Sequence, residues 1–143
     1  MSRTLCLDTN VLIKYLLAGE SHPDAIALME EVIEGRARLV APSFTWAEVG
    51  SVLRKKIRVG LLTTEQATDL FCAFCDLPIE YINGEELHAR AWAIAHHYHL
   101  PTLYDAAFLA CSEKASAEFW TADKTLLNSL GTPKPDYVKE LGE

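Results

Sequence analysis

With 143 residues, half of them apolar and 23% charged, the chain is long enough to bury a sizeable core and reads as a single domain over 1–143. A net charge of −7 at first argues against a nucleic-acid partner, since phosphate binders are usually basic, and no stretch reaches the ~18 uninterrupted apolar residues of a membrane span. The start, MSRT, lacks the apolar core and cleavage site of a secretion signal, and four cysteines without a framework spacing fit a reduced, cytoplasmic setting.

The first informative segment is Leu5–Leu17, LCLDTNVLIKYLL, an apolar run cut by Asp8, Thr9 and Asn10. It predicts a buried strand over Thr4–Leu7 that ends at Asp8. A helix follows from about Asn10, with Val11, Leu12, Tyr15 and Leu16 on one face. Ser21 with Pro23 opens a second helix, whose apolar face is Ile26, Leu28, Met29, Val32 and Ile33 and whose end is Gly35. A short strand, Arg38–Ala41, stops at Pro42, and a third helix runs from about Thr45 to Arg58. Thr63 or Thr64 opens another, carrying Ala67, Leu70, Phe71 and Phe74 at helical spacing until Pro78 ends it. Cys72 and Cys75 lie within that helix, where a CxxC with no second ligand pair reads as two core or boundary residues. Cys6 and Cys111 lie in core-like patterns.

Ile79–Ile82 forms a third strand, and Asn83 begins a helix that reaches His96, His97 and His99. Beyond Pro101 come a helix over Tyr104–Lys114, a fourth strand over Glu118–Thr121 and a short helix after Asp123. The tail beyond Pro135 reads as a last helical turn. Strands separated by helices imply βαβ crossovers, so the expected class is α/β, with a mainly parallel sheet flanked by helices on both faces.

In such sheets ligands bind outside the carboxyl ends of the strands. Asp8 ends the first strand and Asp123 follows the fourth in FWTAD. Glu48 and Asp105 lie in the first turns of helices, and all four are due at the same rim. Each taken singly reads as a cap: Asp8, Asn10 and Asp123 at helix starts, Glu48 three residues after Thr45 as in a capping box, Asp105 in a favourable helix field. Together they read differently. FTWAEVGSVL and LYDAAFLA surround Glu48 and Asp105 with apolar or small residues, where an unpaired carboxylate is costly. Four acids facing one cleft repel unless a cation joins them, and an all-oxygen set without Cys or His points to Mg²⁺ or Mn²⁺. Carboxylate-held divalent ions suit phosphodiester hydrolysis, and Thr121 and Asn10 would supply neutral hydrogen bonds. Thr9 and Ser43 are weaker candidates for the same duty, since helix-start hydroxyls are usually caps.

Other features weigh less. His96 and His99, at i and i+3, lack a further ligand and read as a solvated helix end. Trp46, Trp92 and Trp120 read as core before base-stacking platforms. The run Arg54, Lys55, Lys56 and Arg58 reads as a solvated helix end before a phosphate patch.

At LDTNVLIKYL, TWAEV, YDAAFLACSEK and FWTADKTL the chain resembles the PIN-domain ribonucleases, in particular the VapC-type toxins of toxin–antitoxin pairs. The resemblance covers nearly the whole chain. Asp8, Glu48, Asp105 and Asp123 match, in order and approximate spacing, the four acidic positions of that family. Thr121 matches its hydroxyl two residues before the last acid, and Asn10 its amide near the first. The resemblance implies a PIN-like fold and endonucleolytic cleavage of RNA with Mg²⁺ or Mn²⁺ held by the four acids. It also implies a homodimer and a small antitoxin protein that covers the cleft. Two alternatives stand beside it: a metal-dependent phosphatase using Asp8 as nucleophile, which Asn10 in place of a second acid disfavours, and a non-catalytic α/β binding module whose acids are caps.

Overall fold

The computed structural model describes residues 3–142. Five strands, β1 (Arg3–Leu7), β2 (Ala37–Pro42), β3 (Ile79–Ile82), β4 (Glu118–Thr121) and β5 (Val138–Glu140), form one sheet in the order β3-β2-β1-β4-β5. Every pairing in it is parallel. Between the strands lie α1 (Thr9–Leu16), α2 (Pro23–Ile33), α3 (Thr45–Arg58), α4 (Thr64–Cys75), α5 (Glu85–Tyr98), α6 (Tyr104–Ala115) and α7 (Lys124–Leu130). A 3₁₀ turn at Ala18–Glu20 joins α1 to α2.

The chain steps outward from β1 to β2 and β3, then returns past both to β4 and continues to β5. Parallel crossovers are right-handed, so reversing direction sends the helices of the two paths to opposite faces. The core divides accordingly. Leu5, Leu7 and Leu39 pack with Val11, Leu28, Val49 and Phe74 of α1–α4, whereas Cys6, Val40 and Phe119 pack with Leu87, Phe108 and Leu126 of α5–α7. Adjacent strand residues feed opposite cores because side chains alternate across a sheet. That is why LCL is apolar without interruption, as befits a strand buried on both faces.

Local chemistry sets the element ends. Pro23 occupies the first position of α2, and Thr63 with Gln66 closes a reciprocal capping box on α4. Gly35, at φ +79°, follows α2 in a conformation that side chains resist.

Several expectations are corrected. The tail is not helical: beyond Gly131, Pro133 and Pro135 resist a helix, and Val138–Glu140 instead extends the sheet beside β4. The helix after β3 begins at Glu85 rather than Asn83, whose side chain lies 3.0 Å from the His88 ring. Trp46 and Trp92 are 53% and 69% exposed, not core. Each lies one residue from a buried stripe position, Thr45 or Ala91, and one helical step is enough to turn it outward. Cys72 and Cys75 are exposed for the same reason, the buried positions of α4 being Ala67 and Phe74. Ile26 and Ile33 also face outward from α2. Trp120 is half-buried. Among the described residues no helix is long and apolar enough to cross a membrane.

Candidate active site

The reversal of strand order falls between β1 and β4, and the crevice at their carboxyl ends is where open parallel sheets bind ligands. Asp8 leaves β1 directly into this crevice, and its own N–H donates to Trp120 O at 3.0 Å, prolonging the β1–β4 pairing. Its side chain is only 5% exposed. Three donors surround the carboxyl: Thr9 N at 2.8 Å on Oδ1, and Asn10 Nδ2 at 3.1 Å and Thr121 Oγ1 at 2.8 Å on Oδ2. Burial pushes the Asp8 pKa up to about 7. The Thr121 and Thr9 bonds hold it down, while the charges of Asp105 and Glu48 push it further up.

Thr121, the last residue of β4, is fully buried and ties two acids together. Its hydroxyl donates to Asp8 and accepts from Asp123 N at 3.0 Å. Asn10 links the same elements, donating to Asp8 and accepting from Ala122 N at 3.1 Å through Oδ1. Asp123 caps α7 by accepting from Thr125 N and Leu126 N at 2.9 and 3.1 Å through Oδ1. Its other oxygen has no bond to these amides.

Glu48 lies in the first turn of α3, and no capping box forms there. Thr45 is buried and donates instead to Pro42 O at 2.8 Å. Glu48 accepts from Thr9 Oγ1 at 2.8 Å, which anchors α3 to the start of α1. Burial raises the Glu48 pKa, the Thr9 bond lowers it and the charge of Asp105 raises it. Asp105, the second residue of α6, is raised by burial and by the charge of Asp123.

The structure therefore brings all six sequence-selected residues, Asp8, Asn10, Glu48, Asp105, Thr121 and Asp123, into one neighbourhood. Hydrogen bonds join Asp8, Asn10, Thr121 and Asp123, while Glu48 and Asp105 act on the others through their fields. Thr9, the weaker candidate, joins them as the donor to Glu48, while its own N–H donates to Asp8. Among the described residues no three His, Cys, Asp or Glu side chains close into a ready cation cage, and the CxxC and the histidines gain no third ligand. The donor set nonetheless fits a hard cation: four carboxyl groups, three of them with raised pKa, whose mutual repulsion an ion would relieve.

A family model described as the PIN domain matches residues 5–129. No curated protein matches the chain. Solved structures do. A toxin–antitoxin complex from Klebsiella pneumoniae aligns with TM-score 0.64 and 20% identity over 97% of this chain and 98% of that one. VapBC2 from Rickettsia felis, bound to a DNA fragment from its promoter, gives 0.70 and 11% over 97% and 99%. FitAcB from Neisseria gonorrhoeae gives 0.63 and 17% over 96% of each chain. At these identities the likeness is one of fold.

Proposed function

The chain belongs to the PIN domain family, whose members are nucleases, and on that premise we propose a Mg²⁺- or Mn²⁺-dependent endoribonuclease that serves as the toxin of a toxin–antitoxin pair. The observation that carries this reading is the buried Asp8 at the β1/β4 switch point, with the fields of Glu48 and Asp105 converging on it.

Asp8, Glu48, Asp105 and Asp123 would hold the ion. Thr121 and Asn10 fix the Asp8 carboxyl against β4, and Thr9 fixes Glu48, so the ligands are oriented before substrate arrives. A bound divalent ion supplies positive charge beside the phosphodiester and acidifies water at neutral pH. The Asp123 oxygen left by the α7 cap and the half-buried Asp105 remain accessible from the rim. Asp8, with three donors and little exposure, is poorly placed as the covalent nucleophile of a phosphatase. RNA as substrate follows from the sequence resemblance. The likeness to toxin–antitoxin complexes supports an antitoxin partner, and a homodimer completes the reading.

The test uses purified Asp105→Asn and Glu48→Gln on unstructured and structured RNAs with Mg²⁺ or chelator. Each variant is expected to lose about 100-fold or more of the metal-dependent cleavage with unchanged circular dichroism, since removing even an outer partner of a metal ligand costs about 10–100-fold. Undiminished cleavage by both would remove the acids from the mechanism.

A further inference from the structure

Beside the acid rim the chain carries exposed aromatic surface that neither the core nor the acids use. Arg90 pairs with Glu113 and Lys114 with Glu86, so the first half of α5 lies against the end of α6 and the two helices run antiparallel. The end of α5 therefore meets the start of α6, where Leu103, Tyr104 and Asp105 follow one another. At that corner a recess of about 390 Å³ is lined by Trp92, His96, His99, Thr102 and Leu103. Trp92 is 69% exposed and Tyr104 55%. Tyr104 is nevertheless fixed: its ring meets Phe44 edge-on at 5.3 Å, and Phe44 meets the buried Phe108 at 5.8 Å.

We propose that Tyr104 and the Trp92 recess are nucleobase-stacking sites that seat single-stranded RNA with a neighbouring phosphate at Asp105, an inference that rests on the ribonuclease reading above. Net charge is −7 and the recess holds no Lys or Arg, so the backbone phosphates gain little here and the affinity has to come from the bases. Stacking is insensitive to that charge and accepts any base, because every base has a π-face. Imidazole and hydroxyl edges beside the indole offer hydrogen bonds to base edges, as single-strand recognition uses. A concave recess also suits a base better than a flat protein partner would require. Leu103, which lines the recess, is followed directly by Tyr104 and Asp105 at the start of α6.

Steady-state cleavage of a short single-stranded RNA with Mg²⁺ tests this. Trp92→Ala and Tyr104→Ala alter exposed side chains, so the fold should hold. Each is expected to raise KM about tenfold, with kcat within about twofold, while Tyr104→Phe keeps the wild-type KM. Anisotropy of a labelled oligonucleotide in the cleavage-deficient Glu48→Gln background should show the same loss of binding. Wild-type KM in both alanine variants, with cleavage intact, overturns the stacking sites and leaves the ribonuclease reading standing. Absence of both binding and cleavage in the wild-type chain overturns both readings. Weakened binding that tracks a fall in oligomeric mass by light scattering shows the corner to be a protein interface, and overturns the proposal as well.

Discussion

Around Asp8 the sheet takes a carboxyl out of water and returns three hydrogen bonds for it, from Thr9, Asn10 and Thr121. Those bonds favour the ionised form, but burial outweighs them and the pKa stands at about 7 instead of 3.8. Between these values the folded chain keeps a proton that the unfolded chain has released. Stability of the metal-free protein therefore falls as pH rises from about 4 to about 7 and levels off above, by up to about 4 kcal/mol. Melting scans in chelator from pH 5 to 8 should show this decline, and Asp8→Asn should flatten it whatever its absolute stability. Equal slopes in the two proteins would refute the assignment. That Asp8 and Asn10 do more than fill the core was legible from their interruption of an apolar run. The partner of Thr9 was not, because Glu48 lies 39 positions away and a hydroxyl at a helix start looks the same whether it caps or reaches across.

At the scale of elements, strands β1 to β4 and all seven helices follow from periodicity, prolines and caps, with ends displaced by a residue or two. What the pattern mistook was direction around each helix. Trp92 beside Ala91, and Cys72 and Cys75 off the Ala67–Phe74 stripe, are apolar by type but turned to solvent by a single helical step. Strand β5 was missed because three residues, with only Val138 buried, carry too little alternation to register. One helix end is strained in a correctable way. Ser116 closes α6 at φ 51° and is exposed, so Ser116→Gly relieves left-handed strain without loss of packing. Glycine's larger unfolded-state entropy offsets part of the gain, leaving about 0.5 kcal/mol of stabilisation. Calorimetry should show Tm higher by about 2 °C; a lowered Tm would mean the Ser116 side chain holds a contact that matters.

For the whole molecule, 20 acids against 13 Lys and Arg make the metal a thermodynamic partner as well as a chemical one. An ion that binds only the folded rim stabilises it by mass action, about 2.7 kcal/mol at a hundredfold excess over Kd. Millimolar Mn²⁺ is thus expected to raise Tm of the wild-type chain at pH 8. The rise should shrink near pH 5, where protons compete for Asp8, and vanish in Asp105→Asn. No response in the wild-type chain would favour acids that act only as caps. The sequence by itself determined the α/β alternation, the burial of β1 and which six polar residues lie near the strand ends and helix starts, because periodicity and element boundaries are local properties. Only the tertiary structure decided that β1 and β4 are neighbours at a switch point, that Thr121 and Asn10 bridge them, that Thr9 serves Glu48, and that Trp92 and Tyr104 stand exposed. Those relations join residues distant in the chain, and crossover handedness and packing, not local preference, bring them together.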